Sequence, residues 1–211
     1  MGLGKVISAE DRNLDFLKET VKSIYKVIRS TCKIIRDKYN IVSQGNLPEE
    51  ISFVTTQELE DAYPDLTPQE RENAAAKKYG AVFIMQIGGL LKSGKKHDGR
   101  APDYDDWSLN GDIFVDYPTI GRGLELSSMG IRVDRAALLS QLEKENAMDR
   151  LELPFHKALA NGKLPLSIGG GIGQSRLCMF MLNRRHIGEV QPSIWSDREI
   201  ENCKKQGIIL L

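Results

Sequence analysis

Between residues 8 and 39, apolar residues recur at every third or fourth position, with charged residues between them. The apolar positions include Leu17, Val21, Ile28 and Cys32. This period predicts one long amphipathic helix with a single buried side. The polar segment SQGNLPEE, at 43–50, is predicted to be the linker that ends it.

Two short motifs predict helix starts further along the chain. TTQE at 55–58 and TPQE at 67–70 each place a threonine three residues before a glutamate, which is the pattern of a capping box. Pro68 follows the second threonine, at a position where its missing N–H costs nothing. The second helix is expected to end at Gly80.

Four apolar segments are predicted to be strands: 51–54, 81–87, 112–117 and 124–133. The last two are joined by the turn PTIGRG, and the polar segment 92–111 is predicted to be a loop. Further helices are expected within 134–161, after the glycines near residue 170, and from Ser196. Because strands and helices do not alternate regularly, we expect an α+β domain over 1–211, with a mixed or antiparallel sheet flanked by helices.

The composition is that of a soluble globular protein, with 41% hydrophobic and 27% charged residues among 211. The 29 basic and 29 acidic residues cancel, which argues against a nucleic-acid partner held by bulk charge. No apolar run is long enough to span a membrane, and the first residues lack a signal-peptide core. Three widely spaced cysteines favour a reducing compartment, so we expect a cytoplasmic protein.

The glycine-rich segment SIGGGIGQSR, at 167–176, fits neither common phosphate-binding motif. Gly173 is followed by Gln174 and Ser175 rather than the Lys-Ser/Thr of a P-loop, and Arg176 replaces the last glycine of a dinucleotide fingerprint. One interpretation is a glycine strand that leads into a helix and binds an anion with Arg176. The alternative is a tight turn with an arginine that faces solvent.

Acidic residues cluster around the predicted loop and the two strands that follow it. They are Asp103, Asp105, Asp106, Asp112 and Glu125. A pair on neighbouring strands could hold Mg²⁺ through oxygen ligands, although any single one could be a surface acid. Together with Arg100, Arg132 and Arg176, they predict a cleft for a zwitterionic or phosphorylated ligand. His97, in the same loop, is a weaker candidate for substrate contact.

Four motifs together resemble the ammonia-dependent asparagine synthetase family: HDGRAPDYDDW (97–107), LNGDI (109–113), LELSSMGIRVD (124–134) and IGGGIGQSRL (168–177). The resemblance covers nearly the whole chain. It implies the catalytic fold of class II aminoacyl-tRNA synthetases, with an antiparallel sheet flanked by helices. It also implies synthesis of asparagine from L-aspartate, ammonia and ATP through an aspartyl-adenylate, with Mg²⁺ as cofactor and a homodimer as the working form.

The resemblance also assigns roles to residues. Asp112 and Glu125 would hold Mg²⁺ against the ATP phosphates, with Ser128 beside them. Arg176 would hold an ATP phosphate or stack on the base. The glycines of the same motif would form the floor under the adenine; these are Gly169, Gly170, Gly171 and Gly173.

The remaining roles concern the amino-acid side of the site. Arg132 would lie near the side chain of the substrate, with Ser127 and Asp105 in the same pocket. Arg100 and Asp105 would surround the adenylate, and they are counted with Arg176 as catalytic residues.

Two departures from the family pattern matter for function. The chain corresponds to the C-terminal two-thirds of the family, without the N-terminal part that carries a second phosphate-binding arginine. In addition, Ser108 joins DYDDW directly to LNGD, where the family has a longer loop. The hypotheses are therefore an aspartate–ammonia ligase, or a non-catalytic remnant or subunit that binds nucleotide or a partner chain. A tRNA synthetase proper is disfavoured, since no basic face or anticodon module is evident.

Overall fold

Six strands form one sheet in the order β1-β6-β5-β4-β3-β2. The structure is a computed structural model that describes residues 2–41 and 47–211. The strands are β1 Gly2–Val6, β2 Ser52–Thr55, β3 Ala81–Met85, β4 Asp105–Tyr117, β5 Arg122–Arg132 and β6 Ser167–Ile172. All neighbouring strands run antiparallel except β2 and β3, so the expected mixed or antiparallel sheet is confirmed as a mixed one.

Seven helices surround the sheet in the described part of the chain. They are α1 Leu14–Tyr39, α2 Thr56–Ala62, α3 Pro68–Tyr79, α4 Arg135–Lys144, α5 Pro154–Ala160, α6 Gln174–Met181 and α7 Asp197–Lys205. Both predicted capping boxes are present: Thr55 with Glu58, and Thr67 with Glu70. Each threonine accepts from the glutamate N–H, and each glutamate accepts from the threonine N–H.

Alternate residues of β3 belong to two different cores. Ala81, Phe83 and Met85 pack in a large cluster with α1, whose buried residues include the predicted stripe from Leu17 to Cys32. Val82 and Ile84 point to the opposite face, into a smaller cluster with α2 and α3. This alternation follows from the pleat of a strand and shows that both faces of the sheet are covered at this end.

The helix and linker predictions near the N-terminus require two corrections. Residues 8–13 are not helical: Ser8 and Asp11 hydrogen-bond each other, and Asn13 caps α1 by accepting from the N–H of Phe16. The preceding β1 was not predicted, because its five residues are all exposed and carry no alternating pattern. Residues 43–46 of the predicted linker lie outside the described residues.

The predicted loop 92–111 is wrong over its second half, because β4 already begins at Asp105 and runs unbroken past Ser108. Pairing with β5 is irregular between Asp105 and Asn110. The buried Gln141 of α4 compensates, since its side chain accepts from the N–H of Trp107 and donates to the carbonyl of Asp105. Contacts with α4, which is distant in sequence, therefore stabilise a strand within this polar segment.

Candidate active site

Polar side chains and glycines occupy the middle of one sheet face, on β4, β5 and β6. Asp112 lies opposite Ser128 in the pairing of β4 and β5, and Ser128 lies opposite Gly171 in the pairing of β5 and β6. Partners in adjacent strands point to the same face. The structure therefore places three predicted site residues side by side across three strands.

The glycines of β6 differ in the space that surrounds the position of a Cβ atom. A Cβ on Gly169 would lie 2.6 Å from a guanidinium nitrogen of Arg132, so this glycine makes room for that side chain. At Gly171, by contrast, no atom of the described chain lies within 4 Å of the position of a Cβ. Gly171 is thus an open stretch of backbone, as expected of a floor for a flat ring.

The other two glycines of the motif serve the sheet and the helix start. A Cβ on Gly170 would lie 2.4 Å from the Cβ of Met129, on the face packed against α1. The N–H of Gly173 donates to the carbonyl of Leu126 at 3.0 Å, directly before α6 begins. Neither of these two glycines adds to the open floor.

Arg132 and Asp105 form an ion pair that lies over the glycines. A Cβ on Gly130 would lie 2.8 Å from Cγ of Asp105, so only glycine allows the carboxylate to lie this close to β5. Burial raises the pKa of Asp105 above its ordinary value, although Arg132 and Arg100 oppose the shift. Tyr104 completes the group, since its ring centroid lies 3.9 Å from Cζ of Arg132.

Asp112 and Arg100 form a second ion pair on the same face. Burial raises the pKa of Asp112 to about 6, with Arg100 and the Ser128 hydroxyl opposing the shift and Glu125 adding to it. Asp112 Oδ1 and Arg100 Nε are buried without a hydrogen-bond partner among the described residues. Unpartnered buried polar atoms are costly, which is typical of a site that binds a polar ligand.

Glu125 and Arg176 form the third pair, with Arg176 Nη1 donating to Glu125 Oε2 at 2.9 Å. They line a cavity of about 210 Å³ together with Asp112. Further polar residues from α3, from the loop before β4 and from the start of β5 line the same cavity; among them are Gln69, Glu72, Asn73, Asp98 and Arg122. The cavity thus has both acidic and basic walls.

Two of the five predicted acids do not join this face. Asp103 accepts from Arg150 at 2.8 Å and lies 2.9 Å from Nε2 of His156. Asp106 accepts from Arg12 at 2.6 Å. Because successive residues of a strand point to opposite faces, Asp105 and Asp106 cannot share one site. Asp103 therefore ties α5 to the segment before β4, and Asp106 ties the N-terminal segment to β4.

Ser127 has a different environment from Ser128. Its hydroxyl donates to the carbonyl of Gly171 at 2.9 Å, and the residue is only 1% exposed. This bond links β5 to the glycine strand. His97, also considered above, is buried with Nε2 3.2 Å from Glu72, so it lies behind the cavity wall.

The described residues contain one group of three potential metal ligands within 4.8 Å of one another: His186, Glu199 and Cys203. The N–H of Gly188 donates to Nδ1 of His186 at 3.1 Å. The neutral ring therefore carries its proton on Nε2, which faces Glu199 at 3.3 Å. Ligation of a metal through Nε2 would place the ring proton on Nδ1, where it would face the N–H of Gly188, so this arrangement favours a structural role.

Sequence reasoning missed several residues of the site. Tyr104 contacts Arg132 across 28 positions of the chain, and Glu72 and Asn73 come from a helix in which no site residue was predicted. No local pattern connects these residues with β5. Only the HDGRAPDYDDW motif, which contains Tyr104, could have directed attention to that residue.

The sequence matches a known family over nearly its whole length. The sequence profile of aspartate-ammonia ligase matches residues 3–207. The chain belongs to the aspartate-ammonia ligase family. Curated family members include one from Fusobacterium nucleatum, 58% identical over 98% of this chain, and one from Mycoplasmoides gallisepticum, 57% identical over 97%.

The chain spans a little under two thirds of these ligase-family relatives. It covers 63% of the Fusobacterium nucleatum protein and 61% of a Clostridium perfringens relative that is 56% identical. The aligned part includes every residue of the three ion pairs.

Solved structures show that this ligase-family chain has the class II aminoacyl-tRNA synthetase fold. Aspartyl-tRNA synthetase from Entamoeba histolytica matches 90% of this chain and 41% of its own, with a TM-score of 0.60 and 16% identity. Asparaginyl-tRNA synthetase from Pyrococcus horikoshii, complexed with asparaginyl-adenylate, matches 89% of this chain and 44% of its own, with a TM-score of 0.59 and 17% identity. The α+β fold expected from the sequence is confirmed.

This sheet face also offers groups that could hold a nucleotide and a divalent cation. Asp112 and Glu125 offer carboxylate oxygens, the ligands that Mg²⁺ prefers. The unpartnered Oδ1 of Asp112 is a ready ligand atom, and the open backbone at Gly171 leaves space for a base.

No helix in the described ranges is both long and apolar enough to cross a membrane.

Proposed function

We propose that this chain catalyses the ATP-dependent ligation of ammonia to L-aspartate, giving L-asparagine, AMP and pyrophosphate. The observation that carries the proposal is the set of three arginine–carboxylate pairs on one open sheet face beside the exposed glycine backbone. Paired opposite charges suit a substrate set that contains an amino acid, a triphosphate and a divalent cation.

The Asp105–Arg132 pair would bind the amino acid. L-Aspartate carries one ammonium and two carboxylates, so Asp105 would accept from the ammonium while Arg132 donates to the α-carboxylate rather than to the side chain. The side-chain carboxylate would remain free to react, as the formation of L-asparagine requires. Ser127 supports this part of the site by fixing the glycine strand rather than by touching substrate, since its hydroxyl is already bonded to Gly171.

The other two pairs would bind Mg·ATP by exchanging partners. Asp112 and Glu125 would turn to Mg²⁺, and Arg100 and Arg176 would turn to phosphate oxygens. Mg²⁺ supplies charge neutralisation at the phosphates when it is bound. Each charged group keeps a partner of opposite charge in this exchange, so neither the carboxylates nor the guanidinium groups are left buried and unpaired.

The chemistry then needs positioning more than acid–base groups. An oxygen of the substrate carboxylate attacks the α-phosphorus, an O–P bond forms, and the bond to the β-phosphate oxygen breaks to release pyrophosphate. Ammonia next attacks the activated carbonyl, loses a proton, and AMP leaves with the bonding electron pair. Arg100 and Arg176 would hold the phosphates in line for the first step.

The test is product formation from L-aspartate, ATP, Mg²⁺ and ¹⁵N-ammonium, followed by mass spectrometry of asparagine and chromatography of AMP. We expect labelled asparagine and AMP in equal amounts. Glu125→Gln should lower the rate by about 10²-fold or more, since one electrostatic contact to the transition state is worth that much. Glu19→Gln is the matched control, because Glu19 also pairs with a cation, Lys22, but on the exposed side of α1.

Binding of Mg·ATP without asparagine or AMP would overturn the ligase proposal and support the alternative of a nucleotide-binding subunit. Calorimetry with Mg·ATP makes this distinction. No Mg·ATP binding by the wild-type chain would contradict both.

We further infer a homodimer that works in the cytoplasm. All three cysteines are free thiols, which supports a reducing compartment. The edge strand β1 is exposed along its whole length and presents Leu3 and Val6 to solvent, which supports association. Sedimentation equilibrium tests the dimer, and a monomer at micromolar concentration would contradict it.

A further inference from the structure

Tyr104 is an exposed aromatic residue that contacts the site through one partner. It is 58% exposed and belongs to none of the hydrophobic clusters of the described residues. Arg132 Nη2 donates to its hydroxyl at 3.0 Å, and Cζ of Arg132 lies 3.9 Å from its ring centroid. Burial of apolar surface therefore does not explain why a large aromatic side chain stands here.

The guanidinium of Arg132 is restrained on several sides. Asp105 pairs with Nη1, and the backbone at Gly169 comes so close that a Cβ there would lie 3.1 Å from Cζ. An ion pair alone leaves a long side chain free to rotate. A stacked ring additionally fixes the plane of the guanidinium, because its flat face then has only one orientation.

We propose that Tyr104 is a positioning residue that fixes the guanidinium of Arg132 and thereby sets the affinity of the site for a carboxylate of the amino-acid substrate. This inference rests on the proposed function, in which Arg132 binds that carboxylate. A guanidinium that is already oriented loses less conformational entropy on binding. The ring also excludes water from one side, which strengthens the hydrogen bonds that Arg132 donates.

Two substitutions separate the contributions of the ring and the hydroxyl. Tyr104→Phe keeps the stacked ring and loses the hydrogen bond, so the dissociation constant for L-aspartate should rise about 2–3-fold. Tyr104→Leu loses both, and the constant should rise about 5–20-fold. Affinity for Mg·ATP should stay at the wild-type value in both, since Tyr104 contacts neither Asp112 nor Arg176.

Tyr39→Leu is the matched control. Tyr39 is 59% exposed and also lies beside a cation, Lys38, but at the end of α1. Calorimetry on the 211-residue chain measures both ligands, and circular dichroism checks that each variant is folded. Tyr39→Leu should bind L-aspartate like the wild type.

A second measurement does not depend on substrate. ¹⁵N relaxation of the Nε–H group of Arg132 reports the order of its side chain, which should fall in Tyr104→Leu and stay unchanged in Tyr39→Leu. If Tyr104→Leu binds L-aspartate with the wild-type constant, the proposal is wrong. If the wild-type chain binds no L-aspartate, the proposed function is wrong, and unchanged order of Arg132 in Tyr104→Leu would then overturn the positioning role as well.

Discussion

At the scale of single residues, the charged groups around β4 divide into two kinds. Arg100, Arg132 and Arg176 pair with carboxylates on the open sheet face, beside atoms that lack partners among the residues described. Asp103 instead has its partners within the fold, Arg150 and His156. In the proposed function the first kind would bind ligands, whereas the second kind holds elements of the fold together.

The pH dependence of stability should show the structural role of Asp103. Burial raises its pKa, but hydrogen bonds from His156 and Arg150 outweigh this effect, so the net pKa lies below the ordinary 3.8. A lowered native pKa stabilises the fold above 3.8, and this stabilisation is lost as the pH falls through the native value. Asp103→Asn should therefore lower the free energy of unfolding by about 1–2 kcal/mol at neutral pH.

Urea unfolding at neutral pH and at acid pH checks this prediction. The difference between Asp103→Asn and wild type should shrink toward zero below pH 3.8. Asp149→Asn is a suitable control because Asp149 is exposed. A difference for Asp103→Asn that is as large in acid as at neutral pH would contradict an electrostatic origin.

Thiol reactivity should distinguish the three cysteines. Cys178 is exposed, whereas Cys32 and Cys203 are buried. Burial raises the pKa of Cys32 to about 11, so this residue stays a thiol at neutral pH. Titration with a chromogenic disulfide should detect one fast thiol in the folded chain and three in denaturant, and Cys178→Ser should remove the fast one. Two or more fast thiols in the wild type would show that α1 or α7 is less tightly packed than described.

At the scale of elements, the two faces of β6 require glycine for different reasons. Gly170 faces the side packed by α1, where Met129 and the carbonyl of Ser128 leave no space for a methyl group. Gly171 faces the open side, where the described chain leaves space. One glycine is therefore needed for stability, and the next for access to the site.

Alanine substitutions test this division within one strand. Gly170→Ala should lower the free energy of unfolding by about 1–3 kcal/mol, as overpacking does. Gly171→Ala should change it by less than about 0.5 kcal/mol. Because the new methyl group would stand on the proposed floor for the base, Gly171→Ala should nevertheless weaken the binding of Mg·ATP. Urea unfolding and calorimetry measure the two effects, and equal losses of stability would contradict the assignment of faces.

At the scale of the whole molecule, the proposed ligand site joins the hairpin of β4 and β5 to β6 and α6, which follow much later in the sequence. Glu125 on β5 and Arg176 on α6, for example, are 51 positions apart. A ligand that binds both residues adds its binding free energy to the stability of the folded chain. Nucleotide binding and global unfolding should therefore be linked.

Thermal unfolding with Mg·ATP measures this linkage. At a concentration 100 times the dissociation constant, the ligand should stabilise the fold by about 2.7 kcal/mol and raise the midpoint by several degrees. Removal of Mg²⁺ by EDTA should cancel most of this shift, because ATP alone would meet the carboxylates of Asp112 and Glu125. The shift should also be much smaller in Glu125→Gln than in Glu19→Gln. An equal shift in the two variants would exclude Glu125 from the site.

The sequence by itself determined the elements whose signals are local. The stripe of α1, both capping boxes and the apolar strand β3 depend on residues a few positions apart. The motifs also identified the family and the three arginines. The sequence predicts these features because the geometry of the backbone itself sets the helical and strand periods.

Only the tertiary structure decided which charged side chains form pairs. It separated Asp105 from its neighbours Asp103 and Asp106, placed Tyr104 against Arg132, and made a strand of residues 105–111 through contacts with Gln141. It also showed β1, whose exposed residues carry no pattern. Pairing across a sheet depends on strand order and register, and these are properties of the assembled core rather than of any local segment.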